Sequence, residues 1–128
     1  MTVTNFEEVT KELSEDEFSM LPNLIQILQE HADQENAIYS NDLCRKMATR
    51  CKVEKFSGPR LRKMVNYLRV NGILPVIATS KGYYLSYNKD IIELQIKSLF
   101  ERASAIRKSA YGLQKFLDPN YKPQGILL

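Results

Sequence analysis

Residues 56–87 read FSGPRLRKMVNYLRVNGILPVIATSKGYYLSY, and a change of period inside this stretch decides the fold. Ser57 and Pro59 carry cap and first-turn chemistry: a serine hydroxyl accepts from an orphan helix amide, and proline lacks only an N–H that the first turn leaves unused. Leu61, Met64, Val65 and Leu68 then recur as one stripe of a helix. Asn71-Gly72 ends it, with the glycine free to turn left-handed. From Ile73 the period falls to two. Ile73 to Ala78 reads as a strand with an irregularity at Pro75, Ser80-Lys81-Gly82 as a turn, and Tyr83 to Tyr87 as the returning strand. A helix over 57–71 followed by a β-hairpin over 73–87 is the expectation. Tyr83, Tyr84 and Tyr87 are expected to divide between a core face and an exposed face of that hairpin.

Working towards the N-terminus, Lys52 to Phe56 is a polar connection. Ser40 is expected to cap a helix over 41–51, where Leu43, Met47 and Cys51 recur every four residues with Cys44 beside them. Ala37-Ile38-Tyr39 is a candidate short strand, after a polar turn at 33–36. A helix is predicted from Ser19 to His31, capped by Ser19, with Pro22 in its first turn and Leu21, Leu24, Ile25 and Leu28 as its stripe. Residues 5–14 read as a short acidic helix with Phe6, Val9 and Leu13 on one face. Towards the C-terminus, Asn88 caps a long helix predicted over 89–117, which Asp118-Pro119 stops. The fold class is therefore mainly α with a small β-hairpin (α+β). Four segments result: an acidic N-terminal segment 1–18, a folded domain 19–88, a long C-terminal helix 89–117 and a flexible tail 118–128.

Composition bounds the function. At 128 residues, 44% apolar and 26% charged, the chain can bury a core without disulfides or metals. No apolar run reaches membrane-spanning length, and the acidic start lacks the apolar region of a signal peptide. Two cysteines without a secretion signal suggest a reducing cytosol. The net charge of +3 conceals a strong asymmetry: residues 1–39 carry −8, residues 40–89 carry +9 and residues 90–128 carry +2. A segment so basic points to a polyanion, with a merely solvated basic face as the plain alternative.

The order helix, short strand, helix, basic helix, hairpin is that of a winged helix, and residues 21–87 resemble a winged helix-turn-helix domain. Three stretches carry the likeness: Ser40-Asn41-Asp42-Leu43 at the start of the first motif helix, Phe56 to Arg69 as the recognition helix, and Ile77 to Leu85 as the wing. This wing is similar to those of small winged-helix proteins encoded by phages and prophages. The connection 52–56 departs from the pattern, since it exceeds the usual turn of three or four residues. The resemblance implies a double-stranded DNA-binding protein of the host cytosol, a transcription regulator or replication-origin binder. Helix 57–71 would enter the major groove, and wing 73–87 would lie on the flanking backbone.

Residue chemistry agrees with that expectation. With the apolar stripe inward, Arg60, Lys63, Asn66 and Tyr67 fall largely on the outer face, flanked by Arg62 and Arg69. Arginine pairs with guanine, and asparagine with adenine, through two hydrogen bonds each. Ser57 and the helix-start amides suit a phosphate. Arg45, Lys46 and Arg50 on the preceding helix suit backbone phosphates, Lys52 and Lys55 add to the same field, and Lys81 at the hairpin tip suits a phosphate or the minor groove. All of this requires Arg60 and Lys63 to stay open to solvent, neither neutralised by the chain's own N-terminal carboxylates nor covered by a second subunit.

In the final helix, Ile92, Ile96, Leu99, Ala103, Ile106, Ala110, Leu113 and Leu117 alternate spacings of four and three, a heptad seam. Such a seam predicts a homodimer, as a coiled coil or by helix exchange; a helix folded back on its own domain is the alternative. His31 reads as a helix-end surface residue, and Cys44 and Cys51 as small apolar residues. Together they make no zinc set. No phosphate-loop, dinucleotide-binding, nucleophile-elbow or zinc-protease motif occurs. The expectation is no enzyme, no cofactor and no small-molecule substrate. The competing class is a protein-interaction module that uses the winged domain and the heptad helix without DNA.

Overall fold

The structure, a computed structural model, describes residues 12–125. It is mainly α with one small antiparallel hairpin and a long C-terminal helix. In chain order the elements are α1 (Glu15–Gln29), a 3-10 turn (Gln34–Asn36), α2 (Ser40–Cys51), α3 (Gly58–Val70), β1 (Val76–Thr79), β2 (Gly82–Leu85), α4 (Lys89–Gln114) and a closing 3-10 turn (Lys115–Leu117). The chain divides into two compact units, the first ending at Ile92 and the second beginning at Glu93, inside α4. The short acidic helix expected at 5–14 falls mostly outside the described residues, and residues 12–14 are not helical.

Helix α1 starts before the expected Ser19. Ser14 is its N-cap: the hydroxyl accepts from the Glu17 amide at 3.2 Å, and the Glu17 carboxylate accepts from the Ser14 amide at 2.8 Å. This reciprocal box satisfies two orphan donors at once, a gain Ser19 lacks. Pro22 consequently sits inside the helix, not in its first turn. Its missing N–H leaves the Phe18 carbonyl without a helical donor. The helix closes at Gln29, with Glu30 as C-cap.

Ser40 is the first residue of α2, and Tyr39 takes the cap position with no side-chain hydrogen bond. The helix ends at Lys52, which adopts a left-handed conformation with φ of 55°. In α3 the Ser57 hydroxyl accepts from the Arg60 amide at 3.3 Å, as the sequence suggested. Gly72 is left-handed, with φ of 62°.

The first unit packs α1, α2 and α3 around Leu24, Ile27, Leu28, Leu43, Met47, Leu61, Met64 and Leu68, all without solvent contact. Each such side chain contributes about 1.5–3 kcal/mol relative to exposure. Val76 and Leu85 close the core from the hairpin. β1 and β2 pair from Val76–Leu85 to Thr79–Gly82, so the turn is the dipeptide Ser80-Lys81. Ile38 supplies a third partner: its amide donates to the Tyr83 carbonyl at 2.9 Å, and the Tyr83 amide donates back at 2.8 Å. Within β2 Tyr84 is buried and Tyr83 half-buried, while Tyr87 lies beyond the strand, which ends at Leu85, and is exposed. Asn88 caps α4, its side-chain oxygen accepting from the amides of Asp90 and Ile91.

Candidate nucleic-acid interface

The outer face of α3 is not open. Glu17 of α1, its side chain 5% exposed, holds both basic residues assigned to base reading. Its Oε1 lies 2.6 Å from Lys63 Nζ, and its Oε2 lies 3.3 Å from Arg60 Nε. The Lys63 side chain is only 11% exposed. Arg60 also stands over the Phe56 ring, 5.9 Å from its centre. Burial pushes the Glu17 carboxyl up, but Lys63 and the amide and hydroxyl of Ser14 outweigh it and hold it below its ordinary value. The carboxylate is therefore charged, and one cation face of α3 is compensated within the chain.

The other α3 residues follow the same pattern. Tyr67 is half-buried and packs edge-on against Phe18 of α1, with ring centres 5.4 Å apart. Arg69 donates from Nε to the Val76 carbonyl at 2.9 Å. Arg62 and Asn66 are half-buried, and Arg62 lies close enough to Cys44 to oppose the upward push of burial on that thiol. Only Pro59 and Val70 of the helix are exposed, together with the cap Ser57. The condition that Arg60 and Lys63 stay clear of the chain's own N-terminal carboxylates is not met, and the expectation that Arg60, Lys63, Asn66 and Tyr67 form a solvent-facing reading surface is corrected. The stripe that packs inward was read properly, but α1 covers part of the opposite side.

Exposed cations lie elsewhere in the unit. Arg45, 76% exposed, makes a within-helix pair to Asp42 at 3.0 Å, and Lys46 is exposed on the same helix. Arg50 donates from one nitrogen to both Glu30 oxygens, at 2.8 and 3.0 Å, and holds that carboxyl below its ordinary range. Lys52 and Lys55 are exposed in the connection, and Lys81 is exposed at the hairpin tip. Two shallow depressions meet at Tyr39. One is lined by Lys81 with Gln34 and Glu35, the other by Arg45, Lys46 and His31. Tyr39 is largely exposed and links the hairpin tip to α2. Sequence reasoning missed it as a surface residue because it was read as part of a strand. His31 is tied by Nδ1 to the Asn36 carbonyl, with Lys46 Nζ 3.3 Å from its other nitrogen.

In the second unit no residue of α4 is buried. Of the seam, Ile96, Ala103, Ile106, Ala110 and Leu113 are exposed, and Leu99 is half-buried; Ile92, at the junction, is also half-buried. Cys44 and Cys51 are free and half-buried, and Cys51 Sγ accepts from Asn23 at 3.5 Å. No helix among the described residues is long and apolar enough to cross a membrane.

Comparison with protein-family models, curated proteins and solved structures finds no match.

Proposed function

We propose that the chain, as a winged-helix protein, binds double-stranded DNA through the exposed cations of its first unit outside α3, since Glu17 closes the face on which the sequence reading relied, and pairs with a second copy through α4. The observation that carries this reading is the exposed cation set Arg45, Lys46, Lys52, Lys55 and Lys81 on α2, the connection and the hairpin tip. Those positions suit sugar–phosphate oxygens, which position a protein without reading sequence. Base reading by α3 requires more: Arg60 and Lys63 must leave Glu17. By the likeness of its wing, the role is transcription control or origin binding in a phage or prophage, in the host cytosol.

The Glu17 pairs favour a second reading, a protein-interaction module with no DNA ligand, because they neutralise the helix that would read bases. Fluorescence anisotropy of a labelled mixed-sequence duplex across a salt series separates the two. Five phosphate contacts, from Arg45, Lys46, Lys52, Lys55 and Lys81, give a log–log slope of about −4 to −5 per chain. Engagement of Arg60 and Lys63 as well gives about −6, and Glu17→Gln should move the slope in that direction. Absence of binding at low salt selects the interaction module.

A further inference from the structure

We infer that the partner of α4 is a second copy of the same helix running antiparallel, in the register that sets Ala103 against Ile106 of the other copy. This rests on the self-association proposed above and fixes its geometry. The seam is uninterrupted helix from Ile92 to Leu113, and its residues are unequal in size. Large residues occupy one heptad position (Ile92, Leu99, Ile106, Leu113), while the other holds Ile96 and then the small Ala103 and Ala110.

A parallel pair stacks each position on itself. Alanine would meet alanine at 103 and at 110, between layers of paired leucine or isoleucine, and no single axial separation fits both. It would also set Arg102 against Arg107 of the other copy, twice by symmetry, a like-charge contact at the flanking positions that choose partners. The antiparallel pair removes both conflicts in one register. Leu99 faces Ala110 and Ala103 faces Ile106, so the four central layers each hold one small and one large side chain, while Ile96 faces Leu113 at either end. At the flanks Arg107 meets the Phe100 ring, a favourable cation–aromatic contact. Arg102 meets Ser109, and Glu93 meets Gln114. Phe100, 73% exposed, thereby gains a partner.

Single-cysteine variants test this directly. In the full-length chain with Cys44→Ala and Cys51→Ala, Leu99→Cys and Ala110→Cys are made separately, and each protein is oxidised alone and as an equal mixture. The antiparallel register expects a disulfide-linked species only in the mixture, joining one chain of each kind. Alone, each thiol would stand about 16 Å from its copy. Self-linked dimers of either variant alone, without the mixed species, would establish parallel pairing and overturn the orientation. A sedimentation mass of 14.8 kDa for the unmodified chain at tens of micromolar would overturn the association itself.

Discussion

At Glu17 two opposed effects meet. Removing a carboxylate from water is costly, and two cations with a serine cap repay that cost only while all are present. Glu17→Leu leaves Lys63 nearly buried and unpartnered, and should destabilise the first unit by about 3 kcal/mol in urea unfolding. The double variant Glu17→Leu/Lys63→Met removes both charges and should recover most of that loss. A double variant no more stable than the single one would show that the pair acts through something other than charge. The same site sets an acid limit. Because the folded Glu17 carboxyl titrates below its ordinary value of 4.5, its stabilisation is complete above that pH and fades as pH falls through the lowered folded value. The stability difference between wild type and Glu17→Gln should therefore shrink between pH 6 and pH 3. A difference constant over that range would contradict a charged, paired Glu17.

Among the elements, those governed by neighbours in sequence were legible. Helix α3 begins after Ser57 and buries the four residues of its stripe; Asn88 caps α4; a hairpin follows α3, although its strands are shorter than the expected 73–78 and 83–87, running Val76–Thr79 and Gly82–Leu85. Helix α1 starts at Glu15 and not after Ser19 because Ser14, unlike Ser19, has a glutamate three residues on to complete a reciprocal box, a pairing the sequence reading did not consider. The closure of α3 was legible only as a condition on the acidic N-terminus, not as a contact of one named carboxylate. Periodicity tells which side of a helix packs inward, but the ion pairs to Glu17 join residues more than forty apart in sequence and leave no periodic trace. Gly82 illustrates the same gap in the hairpin. Its role was read as turn formation, yet its φ of 113° and its approach to the neighbouring backbone also matter, since a Cβ there would run into the Ile38 carbonyl. The backbone cannot yield without breaking the two Ile38–Tyr83 hydrogen bonds. Gly82→Ala should therefore cost about 2 kcal/mol or more in thermal or urea unfolding. A variant as stable as the parent would show that Ile38 and β2 can separate at little cost.

For the whole molecule, the two units depend on different forces. The first has a continuous apolar core within one chain, whereas the second is a helix with no buried residue and an exposed apolar seam. A helix in water without a packed face is held mainly by its own hydrogen bonds and is only marginally stable. Association would supply the missing burial, and mass action then ties the stability of α4 to protein concentration. The melting of α4, followed by far-ultraviolet circular dichroism, should rise in temperature with concentration, while the transition of the first unit stays fixed. Leu99→Asp with Ile106→Asp places charge in the middle of the seam. This variant should sediment as a monomer of 14.8 kDa and lose the concentration dependence. On the proposed function, a dimer would join two DNA-binding units through effective concentration, so the monomeric variant should bind a two-site duplex up to about 100-fold more weakly. Its salt slope per chain should not change, because the proposal assigns the phosphate contacts to the first unit. An altered slope per chain would mean that α4 itself touches the nucleic acid, through Arg102, Arg107 or Lys108.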